Sequence, residues 1–360
     1  MNLQAKIDRI DQLSEREKQY WQGFRRENPV LASPYFSYEF AALMARARND
    51  TRVLTLSQNG TLAGFLPFHL SRTGVSRPLG GPLGDHHGLI TTTPELDLQT
   101  AWKQAGLGVL VYHGALASQG GFAANAETRQ SSWVVNMEAG FDAYWEGRRQ
   151  AEAKSMRNIR ARDRKLQAAS SDIVYRVEDN RAEALDSLLQ IKRAQYAQTR
   201  ATDVFKGRWA RTLIHDLMGV REAGLAGVLS TLEIDGRLAA AHFGMRSQSV
   251  LHYWFPVYDP AFSQFSPGLL LFRELARELS MTGITRIDLG PGDFDFKHRL
   301  SNDAFDITGG RIASASLSSA ALALGNGIDR FAQSLPLGRA SHWPGKALRR
   351  LDSVVAVRAI

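Results

Sequence analysis

The chain has 360 residues, of which 44% are hydrophobic, so it is long enough to form two domains with substantial cores. It contains no cysteine, which excludes disulfide bonds, thiolate catalysis and cysteine-ligated metals. The formal net charge of +8 favours anionic partners, such as a phosphorylated cofactor, a nucleotide sugar, a membrane surface or a nucleic acid.

The N-terminal region is strongly polar and charged. Residues 1–29 are predicted to form a helix, and their polarity is not that of a secretory signal. A second helix is predicted to begin at Ser33-Pro34, where Phe36 and Phe40 start an apolar stripe at helical spacing. No segment along the chain is apolar for long enough to predict a membrane-spanning helix. We therefore expect a cytoplasmic protein.

A hairpin pattern occurs twice. In the first copy, strands at 52–57 and 61–70 flank Asn59-Gly60, a pair that tolerates the positive φ angles of a tight turn. Residues 55–63 (TLSQNGTLA) match residues 231–239 (TLEIDGRLA), and an apolar helix precedes each copy. The repetition predicts two related domains in tandem.

A glycine- and proline-rich segment, residues 71–90, follows the first hairpin and contains Asp85-His86-His87. Three interpretations are open for these polar residues: a solvated loop, a contact with an acceptor hydroxyl by Asp85 and His86, or a metal site. Two adjacent histidines and one aspartate do not have the spacing of a helix-face or finger site, so no metal is expected.

Helix and strand signals then alternate to Met137, with a helix at 97–104 and strands at 109–112 and 133–137. The next segment, residues 141–168, is predicted to be a highly basic helix on which Arg157, Arg160 and Arg164 share a face. This face is either solvated or in contact with an anionic substrate or cofactor. Aromatic residues are not interleaved with the basic ones and no nucleic-acid-binding signature is present, so DNA is not an expected partner.

The second half predicts a strand at 173–177, helices at 181–199 and 209–220, and the second hairpin. A strand over Val250–Tyr258 then leads through a loop to Ser266-Pro267-Gly268, a long amphipathic helix, and a strand at Arg286–Leu289. Proline suits the first turn of a helix and serine the N-cap, so the free N–H groups of this helix start are a candidate anion site. An ordinary capped helix is the alternative.

The last segment, residues 313–360, is basic and amphipathic. It is predicted either to lie on an anionic membrane surface or to pack on the preceding domain.

Several short motifs in the second half carry a resemblance to a known family. They are Ser266-Pro267-Gly268, Ile287-Asp288-Leu289-Gly290, Gly292-Asp293 and Phe296-Lys297. In this order they resemble the acetyltransferase domain of CelD/BcsL-type proteins of the GNAT superfamily, which are linked to cellulose and exopolysaccharide synthesis. More distantly, the segment is similar to Fem-type peptidyl transferases.

The resemblance implies tandem GNAT-like α/β domains, each with a mixed, mostly antiparallel sheet flanked by helices. The corresponding divisions are an N-terminal domain at 1–140, a basic linking helix at 141–168, a C-terminal domain with the active site at 169–312, and the tail at 313–360.

The resemblance, together with the chemistry of the individual residues, suggests roles for particular positions. The cofactor would be acetyl-CoA or another acyl-CoA, and its proposed contacts are Tyr258, Phe265, Ser266, Gly268 and Leu269. In catalysis, Lys297 would stabilise the oxyanion, and Asp293 would order Lys297 or act as base. In substrate binding, Asp85, His86, Arg299 and Arg157 would contact the acceptor.

The expected reaction is acyl transfer to an amino or hydroxyl group of a sugar during polysaccharide biosynthesis. Partners would be the sugar acceptor and either polysaccharide-synthesis machinery or the inner face of a membrane. The segment Gln264 to Leu269 keeps only a loose version of the GNAT phosphate-binding pattern. Two alternatives therefore stay open: a Fem-type enzyme that uses aminoacyl-tRNA, and a non-catalytic scaffold of a polysaccharide-synthesis complex.

Overall fold

All strands of the computed structural model, which describes residues 2–314, belong to one twelve-stranded sheet. Its order is β1-β2-β3-β4-β5-β12-β6-β11-β10-β9-β8-β7. The strands are β1 (Leu3–Asp8), β2 (Thr51–Gln58), β3 (Thr61–Leu70), β4 (Val75–Pro78), β5 (Val109–Leu116), β6 (Ala126–Asn136), β7 (Ile173–Arg176), β8 (Ala226–Ile234), β9 (Arg237–Arg246), β10 (Val250–Tyr258), β11 (Arg286–Pro291) and β12 (Asp303–Ala313).

Helices flank this sheet and occur in both halves of the chain. They are α1 (Glu15–Glu27), α2 (Tyr38–Ala47), α3 (Leu98–Gln104), α4 (Gly120–Ala123), α5 (Phe141–Ala151), α6 (Ala153–Ala169), α7 (Ala182–Thr199), α8 (Arg208–Met218), α9 (Pro267–Ser280) and α10 (Asp295–Leu300). The predicted mixed α/β architecture is confirmed.

The sheet has an internal symmetry. Strands β1 to β6 come from the first half of the chain and β7 to β12 from the second. From one edge of the sheet, β1 to β5 are followed by β12, which pairs with β5. From the other edge, β7 to β11 are followed by β6, which pairs with β11. Strands β6 and β12 also pair with each other at the centre. The two halves thus exchange their last strands. The domain limits given above stay a prediction.

Each half contains one pair of parallel neighbouring strands, and the two pairs differ. In the second half, β10 and β11 pair through Val250–Arg286, Leu251–Ile287 and His252–Asp288. Strand β10 continues to Tyr258 and β11 to Pro291. No parallel partners join them beyond His252 in the described part of the chain, so an opening forms between the two strands.

The corresponding opening in the first half is filled by the chain itself. Strands β4 and β5 pair at Val75–Val109 and Ser76–Leu110. The main chain leaves the sheet after β4 and pairs with β5 again at His87, whose N–H donates to the carbonyl of Gly114 at 2.8 Å. The N–H of Ile90 donates to the carbonyl of Phe65 on β3 at 2.8 Å. Residues 87–90 therefore fill the gap that corresponds to the opening between β10 and β11.

The two hairpins confirm the predicted repeat. Strands β2–β3 and β8–β9 pair antiparallel. Their turn residues have positive φ, 53° at Asn59, 82° at Gly60, 50° at Asp235 and 68° at Gly236. These are the backbone conformations that Asn, Asp and Gly accept at low cost.

The main hydrophobic core spans both halves. Phe40 and Met44 of α2 lie in the same buried cluster as Leu213 and Leu217 of α8, and the two helices pack on each other. This shared core joins the two halves on one face of the sheet. The exchanged strands join them within the sheet.

Two local predictions need correction. Residues 3–8 form strand β1 instead of helix, and β1 pairs antiparallel with β2 at the sheet edge. The basic helix is broken at Glu152 into α5 and α6. Residues 295–300 form the short helix α10. Strand β12 follows it and had no clear signal in the sequence.

No helix among residues 2–314 is long and apolar enough to span a bilayer. The basic tail predicted to contact a membrane or the domain lies outside the described residues.

Candidate active site

The opening between β10 and β11 forms a cavity of about 530 Å³, which we call the splay cavity. Its walls come from β10, the start of α9, the end of β11, α10, the helices α6 and α7, and the loop that carries Asp85. The lining residues are Asp85, Arg162, Lys192, Gln195, Tyr253, Trp254, Pro256, Val257, Tyr258, Ser263, Ser266, Pro267, Gly268, Leu269, Phe272, Leu289, Phe294, Phe296, Lys297 and Leu300.

The start of α9 opens into this cavity. Pro267 is the first helical residue, and Ser266 is the N-cap with φ of 52°. In this left-handed conformation the Ser266 side chain makes no capping bond, and its hydroxyl instead accepts a hydrogen bond from Arg162 of α6. A Cβ atom on Gly268 would meet nothing within 4 Å. The helix start is therefore open to a ligand and lies beside an arginine, which suits an anion.

Lys297 extends from α10 into the cavity wall and is 7% exposed. Its Nζ donates to the carbonyl of Gly290 at 3.1 Å and to that of Pro291 at 2.5 Å. Burial lowers the pKa of Lys297 to about 8; the charge of Lys192 also lowers it, whereas Asp85 raises it. An ammonium group has three N–H bonds, so two fix this side chain and one stays available.

Asp85 reaches the cavity from the first half of the chain. Its Oδ2 accepts a hydrogen bond from Nε2 of His252 at 3.0 Å. Burial opposes ionisation, but the hydrogen bond from His252, together with electrostatic interactions that include Lys297, holds the pKa of Asp85 below its ordinary value. Asp85 is thus a carboxylate in the same cavity as Lys297.

Lys192 and Gln195 of α7 also line the cavity, and the sequence analysis missed them. Nζ of Lys192 donates to the carbonyl of Pro256 at 3.3 Å, and burial lowers the pKa of this lysine. A signal was present in the sequence: Lys192 follows the buried Leu188 and Leu189 by four and three residues, which places it on their face of the helix.

A second polar group lies behind Asp85 and is fully buried. Besides His252 it contains His86, whose Nε2 is 3.0 Å from the Ser132 hydroxyl, and Asp288 of β11. Burial lowers the pKa of His86 to about 4, so its imidazole is neutral at pH 7. The segment around Asp85 and His86 is therefore a buried connection between the halves, and the interpretation as a solvated loop is wrong.

The structure brings together one group of the candidate residues. Tyr258, Ser266, Gly268, Leu269, Lys297 and Asp85 all line the splay cavity. Phe265 is buried directly behind the helix start, where it packs in the cluster that includes Leu270. Their roles stay predictions.

The remaining candidates lie elsewhere in the described part of the chain. Asp293 is exposed and pairs with His298, and Arg299 pairs with Asp295 at 3.4 Å. Arg157 is exposed on α6. The side chains of Asp293, Arg299 and Arg157 do not line the splay cavity. His298 packs edge-on against Trp133, with ring centroids 4.3 Å apart.

Comparison with known proteins identifies the domain around this cavity. Residues 153–298 match the family model described as an acetyltransferase (GNAT) domain. No curated protein matches the chain. The match includes α6, α7, both parallel strands of the cavity, and Lys297. Over residues 153–298 the chain is thus similar to a GNAT acetyltransferase domain, which supports an acyltransferase. The narrower resemblance to CelD/BcsL-type proteins stays a prediction.

Solved structures agree with the fold over most of the chain. FemX is 10% identical, with a TM-score of 0.55, and the alignment covers 85% of this chain and 98% of FemX. A tandem GNAT protein from the clavulanic acid biosynthesis pathway is 10% identical, with coverage of 88% and 100% and a TM-score of 0.49. The C-terminal domain of a putative lysylphosphatidylglycerol synthetase from Agrobacterium fabrum is 13% identical, with coverage of 86% and 95% and a TM-score of 0.49.

Proposed function

We propose that the splay cavity binds an acyl-CoA and that the chain transfers its acyl group to an amino or hydroxyl group of a sugar. The observation that carries the donor assignment is the open gap between β10 and β11, with the free start of α9 at its side. The pyrophosphate would bind at Gly268 and Arg162, because a helix start and a guanidinium both favour phosphate oxygens. The pantetheine arm would follow β10, where Tyr253 and Val257 face the cavity.

In the proposed reaction, the acceptor nitrogen or oxygen forms a bond with the thioester carbonyl carbon, and the carbonyl oxygen becomes an oxyanion. The third N–H of Lys297 would donate to this oxyanion, a contribution of about 3 kcal/mol to barrier lowering on mutational precedent. Asp85 would take the proton that the acceptor loses. The intermediate then collapses, the carbon–sulfur bond breaks, and the CoA thiolate leaves and takes up a proton from solvent.

The acceptor assignment rests on the sequence resemblance, which implies a sugar in the synthesis of a cell-surface or extracellular polysaccharide. The side of the cavity on which Asp85 lies supports an acceptor approach from the first half of the chain. In that half, residues 87–90 fill the equivalent gap, so one donor site for each chain is the expected stoichiometry.

A Fem-type aminoacyl transfer is the second candidate. Two observations favour it: the likeness of the fold to FemX, and the exposed arginines of α6, the helix whose Arg162 lines the cavity. The family resemblance implies aminoacyl-tRNA as donor in that case. The third candidate, a non-catalytic scaffold, would bind neither donor.

A thermal-shift titration of the full chain with CoA and acetyl-CoA tests the donor. A ligand that binds only the native state raises the unfolding midpoint, and we expect this for the wild type. Gly268→Asp should abolish the shift, because its carboxylate would occupy and repel the phosphate position. Gly147→Asp is the matched control, since Gly147 is also a helical glycine at which an added Cβ atom would meet nothing within 4 Å.

The outcomes separate the three candidates. Stabilisation of the wild type and the control, but not of Gly268→Asp, supports acyl-CoA at α9. No shift with millimolar CoA, together with protection by charged tRNA, would move the assignment to aminoacyl transfer. A chain that responds to neither would act as a scaffold.

A further inference from the structure

Three side chains from distant parts of the sequence meet below the splay cavity. His86 comes from the connection after β4, His252 from β10 and Asp288 from β11, and they are 3%, 0% and 0% exposed. One nitrogen of each histidine and one carboxylate oxygen of Asp288 lie within 4.8 Å of one another. This group, which we call the His-His-Asp cluster, belongs to neither the donor site nor the proposed chemistry.

One pair of atoms inside the cluster has the spacing of two ligands of the same ion. Nδ1 of His86 is 3.6 Å from Oδ2 of Asp288, too long for a hydrogen bond. Zinc binds nitrogen and oxygen ligands at about 2.0 to 2.2 Å in tetrahedral geometry, which separates two ligand atoms by about 3.4 Å. The pair is therefore close to the distance expected when both atoms bind one ion.

An outer hydrogen bond holds one nitrogen of each imidazole. Nε2 of His252 bonds to Asp85 and Nε2 of His86 to Ser132, at 3.0 Å in each case. If both Nε2 atoms carry the proton, both Nδ1 atoms have a free lone pair. Metal-binding histidines are held in this way, with the second nitrogen donating to a carboxylate or another acceptor.

The inner atoms of the cluster lack partners. Within residues 2–314, neither Nδ1 of His86, nor Nδ1 of His252, nor either carboxylate oxygen of Asp288 has a hydrogen bond. A buried carboxylate without partners is costly, and Nη2 of Arg286 is 3.9 Å from Asp288, beyond hydrogen-bonding distance. A divalent cation would bind both nitrogens and one oxygen of the carboxylate, and it would balance the charges of Asp85 and Asp288.

We propose that His86, His252 and Asp288 bind a divalent transition-metal ion of the zinc type, with water as the fourth ligand. Imidazole and carboxylate ligands suit this class, whereas magnesium and calcium prefer sites made of oxygen alone. The ion would connect the first half, through His86, to both parallel strands of the second. It would also hold His252, and through it Asp85, in position at the cavity. The proposal does not depend on which acyl donor the cavity takes.

The first test uses the wild-type full chain and needs no variant. The protein is stripped with a chelator, saturated with zinc, passed through a desalting column and analysed for metal content. We expect about one zinc for each chain, and X-ray absorption of that sample should show only nitrogen and oxygen ligands at about 2.0 to 2.2 Å. Zinc should raise the unfolding midpoint of the stripped protein, and magnesium at the same concentration should not.

Variants then locate the ion. Asp288→Asn and His86→Ala should lose the bound zinc, while His298→Ala and His215→Ala, which remove exposed histidines, should retain it. Ser132→Ala should weaken zinc binding about 10- to 100-fold in a competition with a chromogenic chelator, because it removes only the outer hydrogen bond of His86.

The proposal is overturned if the zinc-saturated wild type retains far less than one equivalent. It is also overturned if the exposed-histidine variants lose the metal, or if Ser132→Ala binds zinc as tightly as the wild type. These results do not bear on CoA binding, so failure here is separate from failure of the proposed function.

Discussion

Asp85 and Gly290 approach each other so closely that a Cβ atom on Gly290 would lie 2.9 Å from Oδ2 of Asp85. The carboxylate belongs to the first half of the chain and the glycine to β11 of the second. Gly290 has φ of 75°, so its backbone conformation also favours glycine. Gly290 belongs to the motif Ile287-Asp288-Leu289-Gly290, which suggested a GNAT domain in the sequence. Its missing side chain leaves space for Asp85 from the other half.

Gly290→Ala should therefore displace Asp85 and reduce turnover at least tenfold. Gly236→Ala is the matched control, because Gly236 has φ of 68° but nothing within 4 Å of its Cβ position. Both variants should lose about 1 kcal/mol of stability from the left-handed conformation. Acyl transfer measured beside urea unfolding separates the two effects, and equal turnover in the two variants would contradict a role for this close approach.

Lys297→Ala should lower kcat about 10²- to 10³-fold, as the loss of one oxyanion donor does in other enzymes. The donor form is the ammonium, so wild-type kcat should fall as the pH rises through about 8, the pKa that burial imposes on Lys297. A rate that rises through this pH would instead make Lys297 a base. Lys154→Ala, on the exposed side of α6, serves as the control.

The same pKa has a consequence for stability. Lys297 binds its proton more weakly in the folded chain than in the unfolded chain, where the lysine pKa is near 10.4. Between about pH 8 and pH 10.4 the unfolded state therefore holds more protons, and this group makes the folded state more stable as the pH rises. Urea unfolding across this pH range measures the effect. The free energy of unfolding of the wild type should rise with pH through this contribution, which Lys297→Met should lack.

Asp85→Asn should reduce kcat by about 10²- to 10⁴-fold, the range for loss of a general base. Asp293→Asn should cost less, because Asp293 is exposed, pairs with His298 and lies outside the cavity lining. The two variants, assayed together at saturating donor, distinguish the carboxylates. A larger loss in Asp293→Asn would instead support the role predicted for Asp293 from the sequence.

Arg162→Ala should weaken CoA binding about fivefold, since one charge-assisted hydrogen bond on the surface contributes about 1 kcal/mol. Arg157→Ala, on another part of the same helix, should have little effect on CoA affinity. Calorimetric titrations at two salt concentrations provide the measurement, and the wild-type affinity should fall more steeply with salt than that of Arg162→Ala. Equal affinities for the two variants would argue against a phosphate at the start of α9.

Local features were readable without the structure. The hairpins at Asn59-Gly60 and Asp235-Gly236 follow from turn chemistry, and helix α9 follows from Pro267 and its apolar stripe. The element order β10–α9–β11 and the position of Lys297 after it came from short motifs of the same kind. These features depend on neighbouring residues, so the sequence carries their whole signal.

The tertiary structure decided what depends on distant pairing. The sequence by itself determined two hairpin-containing halves, a helix start suited to an anion, and a lysine near it. Only the fold showed that β6 and β12 change places, that residues 87–90 fill one opening, and that His86, His252 and Asp288 meet. The proposed metal site could not be recognised from the spacing of the adjacent histidines. Its other ligands come from strands more than 160 residues away. Such contacts arise from strand register and core packing across the halves, which no local pattern specifies.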